Sequence, residues 1–381
     1  MKIVKRKKFF LVSLISFFSV LLFTFGSIKF VYADGKDLTN DEQLKSSIHE
    51  FLLNFFDLSI SKEPVDCSKY INDKKLANLY NDDFNSFIES NKEHENTKLT
   101  IDITEIKQKK ENEFLVAFTL RKDYQIIGAN VPSSEIDKYF AKIDLENNKF
   151  YINKIISEFE YIQFTSKDVT SKFSRKALDY SSIYDDVINN KIRINEEFKA
   201  VEDEVISKLR TQTIDEENVN SRKYYGYNAG WAVDYAYKYW ENYNPGFVSY
   251  ENIDSDCQNF VSQCVYAGEV PMTRYWHHYV NSDYSLDITK SWSSVTHFYD
   301  YIKKNGYTWG DDYYHNWRWG DVVQFYNPAK KKYSHSVILT GTKGNGTSLY
   351  TGHTKNVLNG DMEDAIKRNK YSKWRYIKFW H

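Results

Sequence analysis

Residues 255–264 read "SDCQNFVSQC" and hold two of the three cysteines in a chain of 381 residues. Three chemistries fit two cysteines seven positions apart: a disulfide, half of a metal site, or one reactive thiol beside an inert one. Phe260, Val261 and Cys264 follow Cys257 at i+3, i+4 and i+7, which is one apolar stripe of a helix ending at Gly268. Seven helical residues rise about 10.5 Å, beyond the roughly 7 Å Cα limit for a disulfide. Zinc pairs are spaced by about two to four residues, so six intervening residues argue against a metal half-site. The remaining reading gives each cysteine its own task. Cys264 is expected in the core. Cys257 is expected at the helix start, with Asp256 as its cap. Unpaired N–H groups and the helix dipole at such a position stabilise a thiolate.

A cysteine nucleophile needs a base, most often histidine, and a polar group to orient it. Nine histidines are present. His335 opens the apolar run "HSVILTG", so a strand would hold it rigidly; an exposed strand-end histidine is the plainer alternative. The segment "TGTKGNGTSLYTGHT" reads as a hairpin turning near Gly344, Asn345 and Gly346. A turn centred on Gly344 pairs His335 with His353. A turn centred between Gly344 and Asn345 pairs it with Thr354. Cross-strand neighbours lie about 5.5 Å apart, so either residue is a candidate orienter. Tyr243 and Tyr250, upstream of Cys257, are candidate oxyanion donors. His277, His278, Asp311, Asp312 and His315 match no common metal spacing, and no metal or cofactor is expected.

The elements that must position these groups follow from periodicity. In the C-terminal part, helices are expected near 229–240, from Cys257 and over 291–305. Strands are expected at 321–326, 335–342, 347–353 and 373–379. Earlier in the chain, Asp41–Leu58 and Leu76–Ser90 read as helices. Strands 98–106 and 113–122 and a hairpin over 139–156 follow, turning at Glu146-Asn147-Asn148-Lys149. Phe198, Val201, Val205 and Leu209 mark one stripe of an acidic helix. Residues 211–222 read as a linker.

The domain reading is therefore a signal segment at 1–33, a small α+β domain at 40–160, a charged helical connector and linker at 161–222, and a C-terminal domain at 223–381. Basic residues precede an apolar run from Phe9 to Phe25 and then Val31-Tyr32-Ala33, the layout of a secretory signal. An uncleaved membrane anchor is its alternative. Without residues 1–33, basic side chains fall from 51 to 45 against 52 acidic ones, a formal charge of −7. No basic cluster remains to track nucleic acid.

The blocks "YNAGWAVDYAYKYWENYNPGF", "DCQNFVSQCVYAGEVPM", "WGDVVQF", "HSVILTG" and "HT" occur in an order that resembles the putative amidase domain family. That family is similar to a branch of the papain-like NlpC/P60 cysteine hydrolases. The resemblance implies a helix carrying the nucleophile packed on an antiparallel sheet, with Cys257 as nucleophile, His335 as base and His353 as the third polar residue. Two positions depart from the family pattern: Ser255, where a glycine commonly precedes Asp-Cys, and Glu269, where a second glycine commonly follows Ala-Gly. The N-terminal domain loosely resembles the NTF2-like cone.

The overall expectation is an α+β protein, exported by a bacterium to its surroundings or wall. It would cleave an amide bond in peptidoglycan or a peptide through a Cys-His-His site. A non-catalytic wall- or peptide-binding module and a thiol acyltransferase are the alternatives. Membrane contact is expected only if the signal segment is retained.

Overall fold

Asn147 and Asn148 show how local chemistry sets this fold. Both have positive φ, at 49° and 61°, the conformation a two-residue hairpin turn requires and asparagine tolerates. The structure, a computed structural model, describes residues 40–165, 181–211, 226–250, 255–281, 285–311 and 318–379. The expected signal segment and nearly all of the expected linker lie outside those residues.

The chain begins with helices α1 (Asn40–Asp57), α2 (Lys74–Asn85) and α3 (Ile88–Lys92). Asp73 caps α2 by accepting the Leu76 N–H. Strands β1 (His94–Lys110), β2 (Glu113–Ile126), β3 (Pro132–Glu146) and β4 (Lys149–Ser157) then form a meander. A capping box between Ser157 and Glu160 turns β4 directly into α4 (Glu158–Phe164). Helices α5 (Ser181–Lys199) and α6 (Glu202–Thr211) follow. The apolar stripe expected on one acidic helix is split over these two. Phe198 ends α5, and Val205 and Leu209 lie in α6, yet all three bury in one cluster.

The C-terminal part contains α7 (Ala229–Tyr239), α8 (Cys257–Ala267), β5 (His278–Val280), β6 (Leu286–Ile288), α9 (Lys290–Ser293) and α10 (Val295–Lys304). It continues through β7 (Thr308–Asp311), β8 (Val322–Asn327), β9 (Lys332–Thr342), β10 (Ser348–Gly352), β11 (Asn356–Asp361), α11 (Met362–Asn369) and β12 (Trp374–Phe379). The helix expected at 291–305 is broken at Ser294 into α9 and α10. Strand β11 and helix α11 had no expectation. Strand β11 mixes buried polar and apolar residues, and the apolar stripe of α11, Met362, Ala365 and Ile366, spans barely one turn.

The fold is mixed α+β with an antiparallel main sheet. Its order is β1-β2-β3-β11-β10-β9-β8-β12-β7, with β4 also paired to β3. Strand β3 is long enough to serve two partners. Residues 139–146 pair with β4, and Ser134–Ile136 pair with β11. The early meander and the C-terminal strands thus share one hydrogen-bonded sheet. Lys45–His381 forms one compact unit; from the remaining unit, only the first residues of α1 are described.

In the C-terminal part the sheet is covered on both faces. On one face, Ile338 and Val322 pack with Phe260, Val261 and Cys264 of α8 and with Ala232 and Ala236 of α7. On the other, Val337, Leu339 and Phe325 pack with Phe159 of α4, Leu209 of α6 and Ile366 of α11. Alternation along β9 assigns neighbours to opposite faces.

Helix α8 ends at Gly268, where an added Cβ would sit 2.4 Å from the Tyr227 ring. The next residue, Glu269, is exposed and holds φ at 73°. That is a left-handed conformation costly for a residue with a Cβ, which accounts for the glycine preferred there in the resembling family. Glu269→Gly should therefore stabilise the fold by about 0.5 kcal/mol, the relieved strain being partly offset by unfolded-chain entropy. A urea midpoint that moves down instead of up would count against this account.

Candidate active site

The first residue of α8 is Cys257, so the thiol sits where the sequence pattern placed it. Asp256 does not cap the helix as expected: its side chain makes no capping hydrogen bond. It is 1 % exposed, and its carboxylate is used elsewhere. One oxygen accepts the Tyr250 N–H at 2.8 Å and the Asn259 amide at 2.9 Å. The other faces His353 Nδ1 at 2.7 Å. The Asn259 amide also donates to the Val248 carbonyl, while its oxygen accepts the Trp292 indole N–H. A buried carboxylate is tolerable only when its oxygens are satisfied in this way.

His353 is the hinge of that network. Its Nε2 lies 2.8 Å from the Tyr239 carbonyl, an acceptor only, so Nε2 carries hydrogen and donates. The ring stacks on Phe260 at 3.9 Å and meets Tyr243 in a tilted contact at 4.4 Å between centroids. Both nitrogens are therefore engaged by Tyr239 and Asp256. The structure brings His353 to the residue before the nucleophile, not into a hydrogen bond with His335.

The residue after the nucleophile ties α8 to the sheet. Gln258 Oε1 accepts the Ser336 hydroxyl at 2.7 Å and the Gln324 amide at 3.3 Å. The Cys257 thiol points at the Ser334 carbonyl, 3.9 Å away. Ser334 and Ser336 flank His335, so the thiol nears the backbone of β9 beside the base candidate, while the His335 ring turns to the opposite face of the sheet with Val337 and Leu339. His335 pairs with Phe325 across β8 and β9. Its ring lies among Phe159, Phe325 and Tyr371 at 5.5, 6.1 and 6.5 Å. Burial pushes its imidazole down to about 4, so it is neutral at pH 7 and has a lone pair to accept a proton. The Tyr371 hydroxyl is pushed well above its ordinary value, chiefly by burial, with Tyr350 and then Cys257 adding to it. Tyr371 thus stacks beside His335 and lies within electrostatic reach of Cys257.

The hairpin settles which residue stands across from His335. Leu339 pairs with Tyr350 and Ile338 with Thr351, the register that extrapolates to Thr354. Thr354 lies just beyond β10 with φ at 88°, a strained backbone for a β-branched residue. Its hydroxyl is 2.8 Å from the Ser255 hydroxyl, which in turn donates to the Cys257 sulfur at 3.1 Å. With Ser255 donating to sulfur, Thr354 donates to Ser255, giving a chain of two hydroxyls aimed at the thiol. Ser255 was noted in the sequence only as a departure from the family glycine; its hydroxyl carries the contact that a glycine lacks.

The other sequence candidates fall elsewhere. The Tyr243 hydroxyl meets the Asn356 side chain at 3.4 Å, and Tyr250 contributes its N–H to Asp256. His278 accepts the Val248 N–H. No group of three or more metal-ligating side chains occurs among the described residues. Cys264 is fully buried and its thiol is pushed well above its ordinary value by burial. Cys67 is buried and pushed up to about 12, again chiefly by burial.

Residues 226–380 match the family model described as "Putative amidase domain". Two proteins of Bacillus subtilis strain 168 are similar in part. The uncharacterized protein YjcM is 29 % identical over 178 residues, covering 44 % of this chain and 41 % of the relative. The uncharacterized protein YhbB is 49 % identical over 41 residues, 11 % of this chain and 12 % of the relative. The chain thus spans less than half the length of either. No solved structure matches. The family match points to amide hydrolysis as the chemistry of the C-terminal part.

The hydroxyl chain predicts a measurable effect on the thiol. A donor hydrogen bond to an ionised acceptor contributes about 1.5 kcal/mol or more, worth roughly tenfold in thiolate fraction. Ser255→Ala should slow iodoacetamide alkylation of Cys257 about tenfold at neutral pH, shifting its pH profile upward. An unchanged profile would remove Ser255 from the site.

Proposed function

We propose that this protein is an exported bacterial cysteine amidohydrolase acting on peptide bonds, with peptidoglycan as the leading substrate. The observation that supports it most is Cys257 opening α8, under a two-hydroxyl chain, beside the strand that carries His335. In this reading the C-terminal domain is the NlpC/P60-like, papain-like catalytic part, and the early α+β region is the NTF2-like part.

In this reading the His335 ring swings from its place beside Phe159 and Phe325 towards α8, and as the Cys257 sulfur attacks the amide carbonyl its proton passes to the neutral imidazole. Negative charge develops on the former carbonyl oxygen, where the N-terminal N–H groups of α8 and its dipole are favourable. His335 then returns the proton to the departing amine as the C–N bond breaks. Water, deprotonated by His335, attacks the resulting thioester and releases the acid and the thiol. Asp256 and His353 act one step back, by holding the start of α8 in place. His335 is the base in this scheme, and His353 is a positioning residue.

The test is release of new amino groups from purified bacterial cell walls and from unrelated peptides. Wild type should release them and Cys257→Ala should not. His335→Ala should lower kcat by roughly 10² to 10⁴, the usual worth of a general base. Activity retained in Cys257→Ala would defeat the cysteine mechanism.

One observation favours a second reading, a binding module that keeps the fold. Cys257 is only 1 % exposed, so a polymeric substrate reaches it only if covering side chains move aside. Selective labelling of Cys257 over Cys264 supports the enzyme. Equal inertness of both supports the binding module.

His335 also predicts how stability depends on pH. Its folded-state value of about 4 lies below the ordinary 6.5. Between those values the unfolded chain binds the extra proton, so this contribution is present above about 6.5 and is lost as pH falls towards 4. His335→Gln should flatten the acid limb of a stability-versus-pH curve over that window, measured by urea unfolding.

A further inference from the structure

The early part of the chain and α11 together line a cavity of about 110 Å³, most of whose lining lies outside the segment matching the amidase family. It lies between α2, strands β2 and β3, and helices α4, α5 and α11. Charged side chains of both signs line it, and most of them satisfy one another. Lys191 is paired with Asp83 and Glu160. Glu135 takes Lys355 at 2.6 Å, Arg368 at 3.3 Å and the Tyr124 hydroxyl at 2.9 Å.

Two charged groups in the wall have no such partner among the described residues. Lys122 is 6 % exposed. Its ammonium meets the ring nitrogen of His94 at 3.4 Å and sits over the Tyr124 ring at 4.6 Å, with no carboxylate within ion-pair distance among the described residues. Asp137 is 7 % exposed. It accepts the Lys138 N–H and the Ser157 hydroxyl; Lys355 acts on it from beyond ion-pair distance. Burial of an unpaired ammonium or carboxylate is unfavourable. Accordingly, burial and the nearby Arg368 push Lys122 down to about 7, and burial pushes Asp137 up to about 7.

Register places the two groups for joint use. Lys122 pairs with Glu135 and Leu120 with Asp137. Lys122 and Asp137 are therefore diagonal neighbours on one face of the β2–β3 pair, about 7–8 Å apart at the backbone. A molecule carrying a carboxylate and an ammonium on one carbon would supply both missing counter-charges. The volume is below the roughly 150 Å³ of a cavity that accepts benzene, which limits the guest to a very small amino acid. Leu99, Leu120 and Phe56 in the same wall suit a hydrogen or a methyl side chain.

We propose that this cavity binds a free α-amino acid the size of glycine or alanine, its carboxylate on Lys122 and its ammonium on Asp137. The inference stands apart from the cysteine chemistry. It has one physical link to it, since Phe159 lines the cavity and also packs edge-on against His335.

Thermal unfolding of the full chain tests it. Glycine, L-alanine and D-alanine are compared with propionate, ethylamine and leucine, each up to about 10 mM, the range of weak small-molecule binding. At a hundredfold excess over Kd, a fitting amino acid should raise Tm by roughly 3–6 °C. Propionate and ethylamine, which carry one charge each, should raise it far less, and leucine should not fit. Lys122→Met and Asp137→Asn should each abolish the rise. If none of the three small amino acids shifts Tm, the cavity holds water only and the proposal fails. It fails equally if a single-charge analogue matches them. These wild-type comparisons decide the matter even where a variant does not fold.

Discussion

The Asp256 carboxylate is the interaction on which the candidate site depends. It lies one residue before the nucleophile and is buried to 1 % exposure. Its satisfied oxygens link three separate pieces of chain: the backbone at Tyr250, the first turn of α8 through Asn259, and the end of β10 through His353. Removing any one leaves a buried polar group unpaired, which costs more than the bond itself contributes. The position of Cys257 is thereby determined from both sides, by Asp256 before it and by Gln258 after it. A thiol placed this rigidly loses little freedom when it reacts.

The second constraint is the single sheet. Strand β3 divides its length between β4 and β11, so the early meander continues into the strands that carry His335. The face of β9 opposite α8 is then covered by α4, α6 and α11, and Phe159 from the early part of the chain contacts His335. Its low basicity follows from that cover, because burial alone displaces it. The segment matching the amidase family therefore carries its base candidate in surroundings that residues outside the match help to build. A tighter environment for His335 and a polar cavity at Lys122 and Asp137 are two consequences of one packing arrangement.

Much of this was legible in the residues. Helical spacing of Phe260, Val261 and Cys264 behind Cys257 located α8 and its first residue, and excluded a disulfide by length alone. The apolar run in "HSVILTG" located β9, and Asn147-Asn148 located the hairpin, because φ/ψ preferences act within a few residues. The hairpin argument narrowed the residue opposite His335 to His353 or Thr354. The observed register, with its irregularity between Leu349 and Tyr350, extrapolates to Thr354. What could not be read were β11, which mixes buried polar and apolar side chains, and α11, whose apolar stripe of Met362, Ala365 and Ile366 spans barely one turn. The role of Asp256 was also hidden. A cap and a network anchor look alike in sequence, and only the arrival of His353 separates them.

By itself, then, the sequence determined what depends on neighbours within a turn or a hairpin: the helix start at Cys257, the core position of Cys264, the turn residues and the strand bearing His335. The tertiary structure alone decided what depends on contacts far apart in the chain. It brought Thr354 and Ser255 to the thiol and turned His353 towards Asp256. It joined β3 to β11, and it left Lys122 and Asp137 facing one cavity without counter-charges. The physical reason is range. Backbone propensity and periodicity are local, whereas hydrogen-bond satisfaction of buried groups is met by whichever segment the sheet brings alongside.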